Sequence, residues 1–227
     1  MGEFQAFGAK ALPFFKALAF HQNKQWYDEN RSLYEEHVRA PLSALLRDVA
    51  AQLARKKINL SGDPKKVIFR LNRDVRFSND KSPYKTHAGA ALYRNGDKKD
   101  GNGLVYIHIS PQECFLAAGF YHPEPAYLKA IRQSITGRPE RYRALVKTLA
   151  RKNFTLSQED ALTRLPRDFK DVDEPDLVEA LKLKSFIIRA PLAKAELKSP
   201  DLVKRVVDFA LAAEPLIVWG RREDIGP

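Results

Sequence analysis

The residues of this chain that could do chemistry are concentrated between Lys65 and Lys85, a stretch that we call the basic segment. Its last sixteen residues include seven charged side chains and one tyrosine, which are Arg70, Arg73, Asp74, Arg76, Asp80, Lys81, Lys85 and Tyr84. Apolar residues such as Leu71 and Val75 are interspersed among them. A solvated charge run would not need the apolar residues, and a core strand would not carry three arginines. The pattern predicts a charged surface that is fixed onto a packed one.

The cations of the basic segment predict an anion-binding site. Arginine presents a planar fork of donors that matches phosphate or carboxylate oxygens, and neighbouring lysines add positive charge. The predicted anion-binding residues are Arg70, Arg73, Arg76, Lys81, Tyr84 and Lys85, with Arg132 on a later helix as a further candidate.

Asp74 and Asp80 are the candidate catalytic residues, and three roles are open to them. They could orient the neighbouring arginines, act as a base, or bind Mg²⁺ beside a phosphate, because hard cations prefer carboxylate oxygens. The competing interpretation is a brace, in which both aspartates neutralise arginines and tie the segment to a sheet. The spacing of the charges does not choose between a site and a brace.

No other residues form a strong catalytic or metal-binding pattern. His87, His108 and His122 have no metal-ligand spacing, so hydrogen-bonding structural roles are favoured for them and no metal site is predicted. Cys114 is the only cysteine, which excludes an intrachain disulfide and a cysteine-based zinc site. No cofactor is required by the sequence, and Mg²⁺ is the one that the aspartates would suit.

The charge of the chain favours acidic ligands. Lysine and arginine exceed aspartate and glutamate by 39 to 28, a formal charge of +11, and the window 65–99 alone contributes ten bases against three acids. This balance suits a phosphate-bearing small molecule, a nucleic acid or an acidic partner protein. For the nucleic-acid alternative, Tyr93, Tyr106 and Phe115 are available for stacking on bases.

Hydrophobic periodicity predicts a single α+β domain over residues 1–227. Residues 1–55 form a helical block, in which Asn23 is an N-cap and Pro41 lies in the first turn of a helix. Residues 65–121 hold an antiparallel meander with strands at 67–71, 86–93, 103–110 and 114–121. Residues 123–219 are mainly helical, with a possible capping box at 157–160 and one further strand at 185–189.

The predicted strands have two different faces. In the strand that begins at Gly103, Val105 and Ile107 point to one side while Tyr106 and His108 point to the other, because strand side chains alternate. Asn95-Gly96 and the run 101–103 bracket the hairpin connection before this strand. Since no helical pattern follows it, the glycine run is not a phosphate-binding loop.

The N-terminal sequence and hydropathy indicate the compartment. Glu3 stands where a signal peptide would carry basic residues, and no apolar run approaches the roughly 20 residues that cross a bilayer. We therefore expect a cytoplasmic protein that does not insert into membranes.

Several strings of the sequence together resemble one family. They are Phe14-Phe15 with Leu18; Asn23-Lys24, Trp26-Tyr27, Asn30-Arg31 and Tyr34; Arg70, Arg73 to Phe77, Asp80-Lys81 and Pro83 to Thr86; Gly119 with Tyr121; and Leu183 to Phe186. These strings resemble the bacterial and fungal family called domain of unknown function 2461, and the likeness covers nearly the whole chain. The resemblance implies one whole-chain domain and supplies no activity or catalytic residues.

Overall fold

A computed structural model describes residues 3–76, 80–97 and 103–225 of the chain. Phe77, Ser78 and the predicted hairpin residues Gly101 and Asn102 lie outside the described residues. The chain forms two compact units. The first comprises Met1–Lys98, Val105–Leu116 and Ala190–Asp208, and the second comprises Lys99–Leu104, Ala117–Arg189 and Phe209–Pro227.

The first unit begins with helices that bury one face each. Helix α1 spans Ala11–Phe20, α2 spans Lys24–Tyr34 and α3 spans Ala40–Arg55. A π-helical turn at Glu35–Arg39 joins α2 to α3 without a break. The residues that α1 and α3 bury recur at helical spacing, as the sequence predicts, and they include Phe15, Leu18, Leu42, Leu45 and Leu53.

Local signals in the helical block are confirmed. The Asn23 side chain accepts a hydrogen bond of 2.9 Å from the Trp26 backbone N–H, so Asn23 is the N-cap of α2. Pro41 lies in the first turn of α3, as the sequence predicts, and directly follows the π-helical turn. Asn23 therefore fixes the start of α2.

The predicted strand at 67–71 is wrong at its start. Pro64–Val67 forms a short helix, α4, because the Asp63 side chain accepts a hydrogen bond of 3.0 Å from the Lys65 N–H and Pro64 occupies the first turn. Beyond α4 the backbone is extended but forms only isolated bridges, at Ile68 with Ala90 and at Asn72 with Tyr84. The capping signal at Asp63 outweighs the β-forming apolar residues that follow it.

The sheet has five antiparallel strands, so the α+β class and the predicted meander are confirmed. The strands are β1 (Leu60–Ser61), β2 (Ala88–Arg94), β3 (Leu104–Ile109), β4 (Cys114–Phe120) and β5 (Phe186–Pro191), in that spatial order. Burial alternates along β3, where Val105, Ile107 and Ile109 are buried while Tyr106 and His108 are half-exposed. This is the division into two faces that the sequence predicts.

The remaining helices are α5 (Pro125–Gly137), α6 (Pro139–Ala150), α7 (Pro175–Lys182), α8 (Leu202–Trp219) and α9 (Arg222–Ile225). The predicted capping box at 157–160 is wrong, because the Ser157 hydroxyl accepts a 3.4 Å hydrogen bond from the Glu159 N–H in a segment that begins no helix. Asp160 instead accepts a hydrogen bond from Ser185. In the part of the chain that the structure describes, no helix is both long and apolar enough to cross a membrane.

Candidate functional site

The basic segment is held by backbone hydrogen bonds. The Arg73 N–H donates to the Pro83 carbonyl, and the Lys85 N–H donates to the Leu71 carbonyl, each at 2.8 Å. Farther along, the Phe69 N–H donates to the Gly89 carbonyl at 2.8 Å. Residues 69–73 therefore run antiparallel beside residues 83–89. The described residues between these two stretches, 74–76 and 80–82, are called the tip of the segment.

Tyr84 fixes the base of the segment to the start of α2. The Gln22 side-chain oxygen accepts a 3.0 Å hydrogen bond from the Tyr84 backbone N–H, and the Tyr84 ring stacks on Tyr27 with ring centroids 4.7 Å apart. Tyr84 is only 4% exposed. This predicted anion-binding residue thus packs as part of a brace. Gln22 was missed by sequence reasoning, since an isolated glutamine carries no pattern.

The charged side chains at the tip pair with each other. Arg73 Nη1 is paired with Asp80 Oδ2, and Arg76 binds Asp74 through two hydrogen bonds, of 3.0 Å from Nε and 2.7 Å from Nη2. Lys81 Nζ donates to the Val75 carbonyl at 2.9 Å. The brace interpretation therefore accounts for both aspartates and for two of the arginines.

These contacts determine the protonation of the candidate catalytic residues. Hydrogen bonds from Arg76 lower the pKa of Asp74, with a smaller contribution from the charge of Arg70. The Ser82 hydroxyl and N–H, which both donate to Asp80 Oδ1, lower the pKa of Asp80, and Arg73 lowers it further. A carboxylate with a lowered pKa is a weak base at neutral pH. Within the described residues, no three histidine, cysteine or acidic side chains come together to hold a metal.

A row of half-exposed rings lies on the polar face of the sheet, next to the base of the segment. We call it the ring band, and its members are Phe69, His87, Tyr106, His108 and Phe115. Ring-centroid distances connect them: 5.8 Å from Phe69 to Tyr106, 5.9 Å from Tyr106 to Phe115, 4.7 Å from Phe115 to His108 and 4.4 Å from His108 to His87. The Tyr106 hydroxyl also lies 3.0 Å from His108 Nδ1.

Gly89 of β2 makes room for the ring band. A Cβ atom at this position would lie 2.5 Å from the Tyr106 hydroxyl oxygen, which is closer than real contacts allow. The missing side chain lets the Tyr106 ring lie against the sheet. Sequence alternation identifies Tyr106 and His108, but the roles of Phe69 and Gly89 depend on strand pairing.

Two cations of the basic segment reach the ring band. Lys85 Nζ lies 6.0 Å from the centroid of the Phe69 ring. Burial, together with the smaller contributions of the charges of His108, Lys85 and Arg73, lowers the pKa of His87 to about 4. His87 is therefore neutral at pH 7, and Lys85 and Arg73 are its cationic neighbours. Tyr93, the third predicted stacking residue, is only 6% exposed, and its burial raises its pKa.

The predicted anion-binding residues are only partly brought together. Arg73 and Lys85 lie near His87, Arg70 is exposed near Asp74, and Arg76 and Lys81 hold the tip. Arg132 belongs to the second unit. Two surface cavities, of about 340 and 430 Å³, are lined by other residues, one by Ser199 and its neighbours and one by Trp219 and its neighbours.

A second polar cluster lies in the second unit, around Ser185. The His122 ring Nε2 lies 3.0 Å from Asp160 Oδ2, and the Ser185 hydroxyl donates to the same oxygen at 3.2 Å. The Ser185 oxygen also accepts a 3.1 Å hydrogen bond from the His122 N–H. In a serine nucleophile triad the histidine side chain binds the serine hydroxyl. Here both side chains bind one carboxylate oxygen, so the cluster is a structural tie.

Comparison with known proteins gives a family match. The model of a family described as a conserved hypothetical protein (DUF2461) matches residues 10–219. The chain belongs to the DUF2461 family. No curated protein and no solved structure matches it. In this DUF2461 chain, residues of the strings that carry the resemblance make structural contacts. Tyr27 and Tyr84 stack on each other in the first unit, and Ser185 accepts a hydrogen bond from the His122 N–H in the second.

Proposed function

We propose that this protein binds a phosphate-bearing anionic ligand at the ring band, with Arg73 and Lys85 beside the phosphate and a flat ring of the ligand stacked on the protein's rings. The single observation that supports it most is the junction of the two features. Lys85 and Arg73 lie close enough to His87 to lower its pKa, and His87 is the end of the ring band. Cations and stacking surfaces thus meet at one place on the sheet.

Binding is better supported than catalysis. The carboxylates that could act as bases, Asp74 and Asp80, have lowered pKa values and are hydrogen-bonded to their neighbours. Their contacts keep the tip of the segment in shape and hold Arg73 through Asp80. Phosphoryl transfer or hydrolysis would need a further group, such as Mg²⁺ brought in with the phosphates. We therefore propose a positioning role for Asp80, which is paired with Arg73.

Titration calorimetry with adenosine monophosphate, adenosine and inorganic phosphate tests the two halves of this proposal. We expect the nucleotide to bind more tightly than either part, because it uses stacking and charge together. The variant Lys85→Ala, Arg73→Ala should lose at least about tenfold in affinity for the nucleotide. Lys56→Ala, which removes an exposed lysine of the same unit outside the segment, is the matched control.

A further variant separates the site from the brace. Tyr84→Phe keeps the buried ring and its stack on Tyr27 while removing the hydroxyl, so it should bind the nucleotide as wild type does. Equal affinity of wild type and the Lys85, Arg73 double variant, with both folded, would refute the proposed site.

The second candidate function is binding of single-stranded nucleic acid. It is favoured by the half-exposed Tyr106 and Phe115 rings on one sheet face, since single-strand binders stack bases on such rings. It predicts that an oligonucleotide binds far more tightly than a mononucleotide. Its affinity should fall with salt, by about 0.7 log units per log unit of salt for each phosphate contacted. Equal affinity for mono- and oligonucleotide would leave only the small-ligand function.

A further inference from the structure

Arg132 is a buried cation that lacks a negative partner in the described part of the chain. It lies on α5 and is 9% exposed. Its Nη2 donates to the Leu183 carbonyl at 2.9 Å, and its Nε is buried without any hydrogen-bond acceptor. Burial lowers its pKa, and no neighbouring charge is found to act against that effect. Buried arginines are normally paired with an acid, because an isolated charge loses its hydration.

The acid that is bonded to the segment carrying Leu183 already has its own partners. Asp160 is the carboxylate beside Ser185, two residues from Leu183, and it is already bound by His122 and by the Ser185 hydroxyl. The Leu183 carbonyl is a neutral acceptor. It satisfies one donor of the guanidinium and leaves the positive charge uncompensated.

The segment that carries Leu183 makes two close contacts with the strand β4 region. Ser185 is tied to His122 by a hydrogen bond of 3.1 Å, and the backbone of Phe186 lies against Gly119, where a Cβ atom would come within 2.1 Å of the Phe186 carbonyl oxygen. The hydrogen bond from Nη2 to the Leu183 carbonyl orients the guanidinium and, with it, the Nε–H. A donor in a binding site has to be oriented in this way.

We propose that Arg132 anchors a second anion-binding site, separate from the ring band, which takes a small oxyanion such as a carboxylate or phosphate group. The ligand accepts the Nε–H hydrogen bond and supplies the missing negative charge. This inference does not depend on the proposed function of the first unit.

Nuclear magnetic resonance on the wild-type protein tests the site directly. The resonance of the Arg132 Nε–H should shift in a saturable way when inorganic phosphate or acetate is added at constant ionic strength, with chloride as the reference anion. Phosphate and acetate are separate arms that identify the preferred oxyanion. If neither anion moves this resonance, the proposal is overturned.

Thermal unfolding of Arg132→Met gives an independent test. The substitution removes an uncompensated buried charge and keeps an apolar stem, so the anion-free variant should melt at or above the wild-type temperature. The rise in melting temperature that the preferred anion gives to wild type should disappear in the variant. Lys129→Met, which removes an exposed lysine from the same helix, should keep that rise.

The two sites are distinguished by measuring the variants of each site in the binding assay of the other. Lys85→Ala, Arg73→Ala should keep the Arg132 Nε–H shift, and Arg132→Met should keep nucleotide binding at the ring band. An anion-dependent rise in Arg132→Met equal to that of wild type would overturn the second site and leave the first untouched. If Arg132→Met does not fold, the wild-type resonance decides alone.

Discussion

The basic segment and Arg132 show two opposite ways of placing positive charge. In the segment, cations are dense in the sequence, but Arg73 and Arg76 are paired with Asp80 and Asp74 at the surface. Arg132 stands alone in the sequence, is buried, and has only the Leu183 carbonyl as a side-chain partner among the described residues. Charge density along a chain is therefore a poor guide to where charge remains uncompensated in the fold.

The difference follows from desolvation. An exposed cation keeps most of its hydration, so pairing it with a neighbouring carboxylate changes little. A buried cation loses its hydration and depends on whatever partner the fold provides. A local string of arginines and aspartates can balance its own charge within a few residues, although Arg73 Nε, like Arg132 Nε, is buried without an acceptor among the described residues. In the part of the chain that the structure describes, Arg132 has no acid within a few residues that is bonded to it, and this difference is the basis of the proposed second site.

The largest effect is expected from filling the glycine that supports the Arg132 region. Gly119 has φ +122°, and a Cβ atom there would lie 2.1 Å from a backbone oxygen that cannot move aside. Gly119→Ala should lower the free energy of unfolding by more than about 3 kcal/mol, measured by urea denaturation.

The matching glycine of the ring band is the control for this prediction. At Gly89 the Cβ would meet the Tyr106 hydroxyl, which is the far end of a side chain that can turn away. Gly89→Ala should cost only about 1 kcal/mol, but it should weaken nucleotide binding because Tyr106 leaves the ring band. Equal stability losses in the two variants would contradict the contrast between a rigid region and an adaptable one.

A smaller effect is expected from His87, which shows that desolvation also acts in the first unit. The folded pKa of His87 is about 4, below its ordinary value of 6.5. As the pH falls from about 6.5 towards 4, His87 is protonated in the unfolded chain but not in the folded chain, so the free energy of unfolding decreases. His87→Gln should remove roughly 2 kcal/mol of the stability loss between about pH 7 and about pH 4.5.

Urea unfolding of both proteins across this pH range measures the His87 effect. His21→Gln, which changes an exposed histidine of the same unit, should leave the pH dependence of wild type in place. If the free energies of unfolding of His87→Gln and of wild type fall in parallel with pH, the loss of stability in acid does not come from the buried His87 ring.

Sequence reasoning succeeded where a local pattern has one physical meaning. Alternation along β3 separates Val105 and Ile107 from Tyr106 and His108, and an asparagine before α2 gives the N-cap. It failed where a local signal competes with its context. At 157–160 the capping pattern is present, but the Asp160 side chain accepts a hydrogen bond from Ser185 and no helix begins there. At 64–67 the Asp63 cap starts a short helix where the apolar residues predict a strand.

The candidate sites were only partly readable for a related reason. Lys85, Arg73, Tyr106 and Phe115 are recognisable by residue type, yet their convergence depends on the pairing of residues 69–73 with 83–89. Arg132 could be suspected as a cation, but its missing partner is a property of the surrounding fold. Tyr84 shows the reverse error, since a donor suited to anions is buried against Tyr27.

The smallest effect is expected at the pair that looks most like a catalytic constellation. Arg76 is 76% exposed in its side chain and Asp74 is 44% exposed, so water competes with their ion pair. Arg76→Gln and Asp74→Asn, singly and together, should leave the urea midpoint of wild type unchanged, and a double-mutant cycle should show no coupling. Both variants should also keep nucleotide affinity, because the proposed phosphate contacts are Arg73 and Lys85. A large loss of affinity in Asp74→Asn alone would instead move the chemistry to the tip of the segment, and would make the segment rather than the ring band the functional centre.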